Sequence, residues 1–285
     1  MIGARHAQAR AHQLRKATVY RPTLFLVLLA LLAACATSPT GRRQLLMVSD
    51  SQINQMGLAT FQQMKATDKL STDKGKQATA QCIVQSLVAQ LPPPWQGLDW
   101  EVQVFAIDSA NAFALPGGKV GINTGLFRVA TNQDQLAAVI GHEIGHVIAR
   151  HSNERLSQSI LADVGANVVG AYVGRNASPD QVKQVVALLG AGAQVGVLLP
   201  YSRLQESEAD HLGQELMARA GFDPRQAAQL WDNMIRASAG SAAPLRLLST
   251  HPDAAERARV LAAGAPQLLP VYQQARAAGR VPRCT

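Results

Sequence analysis

The chain has 285 residues, 47% of them hydrophobic and 16% charged, with a formal charge of +8. This is the composition of an ordinary globular protein, and it excludes a low-complexity or wholly disordered chain. Nor does the charge point to nucleic acid: Arg5, Arg10, Arg15, Lys16 and Arg21 precede Cys35 with no acid among them, leaving +3 for the remainder, and no basic stripe with interleaved aromatics follows.

The basic start runs into Leu24-Phe25-Leu26-Val27-Leu28-Leu29-Ala30-Leu31-Leu32 and then Ala33-Ala34-Cys35. A basic segment, a short apolar run and small residues make a secretory signal; the run falls short of the roughly 20 residues that a bilayer span needs. Leu32-Ala33-Ala34-Cys35 resembles the lipobox of bacterial lipoproteins, which implies that Cys35 becomes the acylated first residue of the mature chain. Buried acyl chains contribute about 0.8 kcal/mol per methylene, enough for stable anchoring. Ala36, in place of an Asp, implies the periplasmic face of the outer membrane. The expected division is a signal peptide over 1–34, the lipidated cysteine and a tether over 35–48, and one domain over 49–285. The other two cysteines, Cys82 and Cys284, form an even pair in an oxidising compartment and are expected to tie the C-terminus to an early helix by a disulfide.

Residues 36–48 are small and polar, with Pro39 and Gly41, as a tether should be. Ser49-Asp50 can cap a helix to about Met64, with apolar positions at Ile53, Met56, Leu58 and Phe61. A second helix fits Lys74 to Leu91, stopped by Pro92-Pro93-Pro94. Residues 100–107 then alternate as a half-buried strand. Asn111-Ala112-Phe113-Ala114 enters the turn Leu115-Pro116-Gly117-Gly118, and 119–124 return as a third strand. A helix is expected from Gln135 to about Arg155. Residues 156–200 are rich in Ala, Gly and Val and read as two apolar helices in a hairpin, packed as core in preference to a lid or a membrane-contacting flap. Further helices fit 203–220, 224–238, 252–263 and 267–279. The fold class is therefore α+β, mostly helical, with one small sheet beside the helix that begins at Gln135.

That helix carries His142-Glu143-Ile144-Gly145-His146. Residues four apart share a helix face, about 5–6 Å between Cβ atoms, so both imidazoles can reach one zinc ion. Glu143 stands beside the first ligand, where its carboxylate can take a proton from the water that the metal activates. The motif lies in an apolar stretch, Leu136 to Ile140 before it and Val147 to Ala149 after. Unpaired polar groups buried there would cost several kcal/mol, which a metal offsets. Gly145 leaves the helix backbone bare for a substrate or a neighbouring helix. A catalytic zinc needs a third protein ligand, and Glu206-Ser207-Glu208-Ala209-Asp210 offers candidates downstream.

His142-Glu143-x-x-His146 followed by Glu206-x-x-Ala209-Asp210 resembles the gluzincin-type endopeptidases of the HtpX and CAAX-prenyl-protease family, in the soluble bacterial lipoprotein branch that includes LoiP and the protease domain of BepA. Asn111 to Gly118, Tyr201-Ser202-Arg203 and Thr250-His251-Pro252 with Arg257 extend the likeness over most of the mature chain. The resemblance implies one zinc ion per chain, held by His142, His146 and Glu206. Asp210 would orient a ligating histidine, and Glu143 would serve as general base. His251 would either stabilise the transition state or close the site as a latent fourth ligand, with Arg257 fixing its surroundings. Asn111, Ala112, Phe113 and Ala114 would form an edge strand that binds substrate. Glu208 is expected to point off the ligand face, as a surface or outer acid; His151 and His211 are expected to be structural. The implied activity is hydrolysis of polypeptides, periplasmic or outer-membrane proteins in quality control, with the membrane met through the lipid and no nucleic acid as partner. The rival reading is a mainly non-catalytic assembly factor or chaperone on the same zinc scaffold.

Overall fold

The computed structural model describes residues 35–161, 202–239, 246–251 and 253–284. The signal peptide expected over 1–34 and almost all of the hairpin expected over 156–200 lie outside them. The chain divides into two compact units, 1–47 and 48–285. In the first, β1 (Cys35–Thr37) and β2 (Arg43–Leu45) pair antiparallel with Ala36 opposite Gln44, around a turn in which Gly41 takes φ 90°. The stretch read as a plain tether therefore holds a short ladder, a second one beside the single sheet expected.

In the second unit, α1 (Asp50–Thr67) starts at a capping box: the Ser49 hydroxyl accepts from Gln52 N and the Gln52 side chain accepts from Ser49 N. Its buried stripe is Ile53, Met56, Phe61 and Met64. Asp73 caps α2 (Lys74–Val88), which buries Ala80, Ile83, Val84 and Leu87. β3 (Glu101–Phe105), β4 (Ala112–Leu115) and β5 (Lys119–Asn123) form one sheet in the order β3-β5-β4. β5 is parallel to β3, with Val104 opposite Ile122, and antiparallel to β4, with Ala114 opposite Val120. Side chains alternate across it: Val104, Ala112, Ala114, Val120 and Ile122 join the main core, while Phe105, Phe113 and Leu115 join a smaller cluster with α1. Both faces are covered, and the edge strand β4 packs on α3 (Gln133–Ile148).

α3 is buried all round from Gln135 to Ile148. It ends earlier than expected. The chain turns at Ala149-Arg150, where Arg150 takes φ 56°, and α4 (His151–Leu161) follows as a separate helix. Ser202 and Gln205 make a second capping box for α5 (Arg203–Arg219), which ends before Gly221 at φ 87°. Next come α6 (Gln226–Ala239), α7 (Arg246–Thr250) and α8 (Ala254–Ala277). The two helices expected over 252–263 and 267–279 are one. Pro266 and Pro270 lie on its exposed side, where water can take the carbonyls they orphan, and Arg257, Ala258, Leu261, Ala265 and Ala275 stay buried along it. No helix among the described residues is long and apolar enough to cross a membrane. A disulfide joins Cys82 on α2 to Cys284, with Cα atoms 5.4 Å apart. The same tail is held by Cys284 N donating to Gln133 Oε1 at 2.8 Å and Gln133 Nε2 donating to Pro282 O at 2.9 Å.

Candidate metal centre

The site forms where α3 and α5 cross at backbone contact. A Cβ on Gly145 would stand 2.7 Å from Ala209 O, and one on Gly213 would stand 2.6 Å from His142 N. Only helices lacking side chains at these points can approach so closely. The partner for which Gly145 clears space is thus the neighbouring helix. This contact brings His142 and His146 of α3 up to Glu206 in the first turn of α5.

His142 Nε2 and His146 Nε2 are 3.0 Å apart, and each lies 3.5 Å from a Glu206 carboxylate oxygen. His251, which follows α7, brings Nδ1 to 3.0 Å from both Glu206 oxygens and 3.3 Å from His142 Nε2. All four residues are buried, and each offers a donor atom within 4.8 Å of the others. Tetrahedral zinc with bonds of about 2.0–2.1 Å separates neighbouring donors by about 3.3 Å. The separations here, 3.0 to 3.5 Å, fit such an ion. So does the chemistry of the donor set: Glu206 is a buried carboxylate among three buried imidazoles, the oxygen and nitrogen ligands that zinc takes.

Arg257 of α8 binds this carboxylate layer. Its Nε donates to Asp210 Oδ2 at 2.7 Å, its Nη2 to Asp210 Oδ1 at 2.5 Å and its Nη1 to Glu206 Oε2 at 2.5 Å. The guanidinium lies 3.9 Å from the centre of the Trp231 ring. Asp210 Oδ1 is also 2.9 Å from His142 Nδ1, the ring atom turned away from the donor set.

Burial and these partners set the proton affinities. For Glu206, burial pushes the carboxyl up, but the charges of His251 and Arg257 and the hydrogen bonds from His142 and His146 outweigh it and hold it well below the usual range. Asp210 is likewise buried, yet held low by Arg257 and His142. Burial and the Arg257 charge work against His142, but hydrogen bonds to Asp210 and Glu206 raise it to about 9. His146 is pushed well below its usual value, chiefly by burial. Burial lifts Glu143 above the ordinary carboxylate range. Glu143 Oε1 is buried and accepts no hydrogen bond from a described residue, with His251 Nε2 3.4 Å away. This oxygen, without a hydrogen bond, lies beside the donor cluster.

β4 spans Ala112–Leu115, and Asn111 precedes it with a buried Oδ1 that has no hydrogen-bond partner among the described residues. Two residues outside the ligand set meet behind it. Of the two settings expected for Glu208, surface or outer acid, the structure has the second: it is buried, with Oε2 3.0 Å from His151 Nε2, and His151 Nδ1 is in turn 2.8 Å from His146 Nδ1. An unbroken helix through 150 would have kept His151 on another face, and no glycine or proline marks the break. Only the histidine itself, five residues beyond the motif, hinted at it.

Residues 74–265 match the family model described as Peptidase family M48. The chain is 38% identical over 162 residues to the mitochondrial metalloendopeptidase OMA1 of Schizosaccharomyces pombe, a match covering 57% of this chain and 45% of that protein. It is 34% identical over 149 residues to the beta-barrel assembly-enhancing protease of Escherichia coli, covering 51% of this chain and 30% of that one. The bovine OMA1 match is longer, 29% over 246 residues, covering 82% and 46%. The chain thus spans half or less of the length of these curated relatives.

Proposed function

The chain belongs to peptidase family M48, and from that premise we propose that it is a zinc-dependent endopeptidase acting on misfolded or misassembled periplasmic and outer-membrane proteins. The observation that carries this reading is the convergence of His142, His146 and Glu206 donor atoms within 3.5 Å steps, with Glu143 Oε1 beside them and free of hydrogen bonds from the described residues. These three residues would hold the zinc. When bound, the ion would polarise the scissile carbonyl and acidify a water molecule towards neutral pH.

Glu143 is the general base: it takes the proton of the attacking water and returns it to the leaving amine. Burial raises its proton affinity towards the working pH, which suits both transfers. Asp210 and Arg257 fix the ring of His142 and the carboxylate of Glu206. β4, paired on one side with β5, offers its other edge to an extended peptide through backbone hydrogen bonds, with Asn111 to Ala114 as the docking segment. His251 is close enough to Glu143 to meet a developing oxyanion. Its Nδ1, 3.0 Å from Glu206, also favours a second reading in which it is a fourth ligand that keeps the site latent. His251→Ala lowers activity under the first and raises it under the second.

The name of the Escherichia coli relative links that protein to β-barrel assembly, which supports outer-membrane substrates. The OMA1 relatives are mitochondrial, so the envelope location rests on the leader and on lipidation of Cys35. Cys35→Ser should move the protein from the membrane to the soluble fraction. The activity is tested by casein cleavage: it should stop with a chelator and return with zinc, and Glu143→Gln should lose about 10²–10⁴-fold in rate with its zinc retained. Native-rate cleavage by Glu143→Gln would overturn the general-base assignment. If Glu143→Gln supports assembly in a deletion strain as well as the native protein does, the main role is that of an assembly factor.

A further inference from the structure

In a continuous α-helix, residues 146 and 151 would be about 140° apart around the axis and could not meet. The left-handed turn at Arg150 folds α4 back so that they do. Several contacts hold that turn. Arg150 Nη2 donates to Asp50 Oδ2 at 2.7 Å and its guanidinium lies 5.2 Å from the Trp95 ring centre. Asn153 Nδ2 donates to Val48 O at 2.7 Å, and Gln205 Nε2 on α5 donates to Glu154 Oε2 at 2.9 Å. An arginine in this conformation is uncommon, and the ring it delivers goes to the back of His146.

The order of hydrogen bonds from there follows from donor chemistry. An ionised carboxylate only accepts, so the 3.0 Å contact with Glu208 Oε2 requires the His151 proton on Nε2. A neutral imidazole protonated on Nε2 has a bare Nδ1, which can only accept. With His151 neutral, His146 is then the donor across the 2.8 Å Nδ1···Nδ1 contact, and its own Nε2 gives up its hydrogen bond to Glu206 and is left bare for a metal. The opposite order would put the proton on His146 Nε2 and remove it from the donor set.

We infer that His151 and Glu208 are positioning residues for the metal: a buried carboxylate–imidazole relay that sets the tautomer and ring plane of His146, as Asp210 does directly for His142. α5 thereby supplies one ligand, Glu206, and the orienting carboxylate for each ligand of α3. Glu208 is turned about 200° from Glu206 around the helix, so it acts through an interposed ring where Asp210 needs none. Both the relay's purpose and its hydrogen-bond order rest on the metal-centre reading above, because without an ion the His146 proton can sit on Nε2 and bond Glu206.

The test uses the full chain, zinc-loaded, with two readouts. Imidazole ¹⁵N–¹H NMR should find His151 protonated on Nε2 and scalar coupling between Nδ1 of His146 and Nδ1 of His151. Chelator competition should find zinc bound about 10–100-fold more weakly by His151→Leu. His151→Gln, whose amide can both accept and donate, should recover most of that loss. A proton on His151 Nδ1, or a folded His151→Leu that binds zinc within twofold of the native protein, overturns the relay. If His151→Leu does not fold, Glu208→Gln decides, since it keeps the volume but not the charge: several-fold weaker zinc binding supports the relay and unchanged binding overturns it. A native protein that takes up no zinc defeats the metal-centre reading instead, a result distinct from one in which zinc binds and the relay variants leave its affinity unchanged.

Discussion

Arg257 carries more of the site's charge balance than any other single side chain. It is buried among Asp210, Glu206 and the Trp231 ring, with two hydrogen bonds to one carboxylate and a third to the other. Removing one partner from such a set leaves buried charge uncompensated, which typically costs about 3–5 kcal/mol. Arg257→Met is therefore expected to lower stability by about that much in chelator-treated protein, measured by urea denaturation; a loss below about 1 kcal/mol would mean that the carboxylates are balanced in another way. At this scale the sequence was informative where chemistry has a fixed spacing. His142, Glu143 and His146 announce themselves because residues four apart must share a helix face, whereas it took the family resemblance to pick Glu206 and Asp210 from the acids downstream. Family resemblance, not spacing, singled out His251 and Arg257. The settings of His151 and Glu208 were not legible, because they depend on a backbone reversal that no turn-forming residue marks.

The crossing of α3 and α5 governs the site at the scale of elements. Gly213→Ala gains up to about 1 kcal/mol of helix propensity. The added methyl, however, would stand 2.6 Å from the backbone nitrogen of His142, where no side chain can yield. Overpacking of this kind costs about 1–3 kcal/mol and should prevail. Thermal denaturation should show a net loss of stability together with weakened zinc binding, since the displaced helix carries Glu206; a more stable variant with native zinc affinity would contradict the close crossing. Asp134 in the first turn of α3 gives a pH signature. Its carboxyl is raised, first by burial and further by Asp223, although Asp223 N donates to it at 2.8 Å. An acid whose folded pKa lies above its unfolded value favours folding when protonated, and that contribution is lost as pH rises through the folded value. Asp134→Asn should thus gain stability relative to the native protein at pH 7 and gain less at pH 3.5, with chelator at both; an equal difference at the two pH values would count against the buried carboxylate. Most elements were legible from caps and periodicity, as the two capping boxes and the alternation of β3 show. The joins were not: α3 stops at Ile148 with no glycine or proline to mark the break, and α8 runs through two prolines because its exposed side tolerates them.

Across the whole domain, the disulfide between Cys82 and Cys284 links positions 202 residues apart and fastens the C-terminal tail against the start of α3. Loops of this length restrict the unfolded chain strongly, and removing such a link typically costs about 2–5 kcal/mol. The Cys82→Ala, Cys284→Ala double variant should therefore unfold at a clearly lower temperature while its zinc content holds, because neither cysteine touches the metal cluster. Unchanged thermal stability would show that the tail hydrogen bonds suffice without the covalent link. The sequence's uneven legibility at this scale has the same cause as at the others: pairing of two cysteines was expected from their even count and the secretory pattern of the leader, whereas the sandwiching of a three-stranded sheet between α1 on one face and α2 with α3 on the other emerges only from packing.

The central claim is that one divalent ion is shared by two turns of α3 and the first turn of α5. Anomalous diffraction at the zinc absorption edge, on crystals of zinc-replete protein, tests it most directly. We expect a single peak about 2.0–2.1 Å from Nε2 of His142, Nε2 of His146 and a carboxylate oxygen of Glu206. A peak elsewhere, or none at this cluster, would contradict the account.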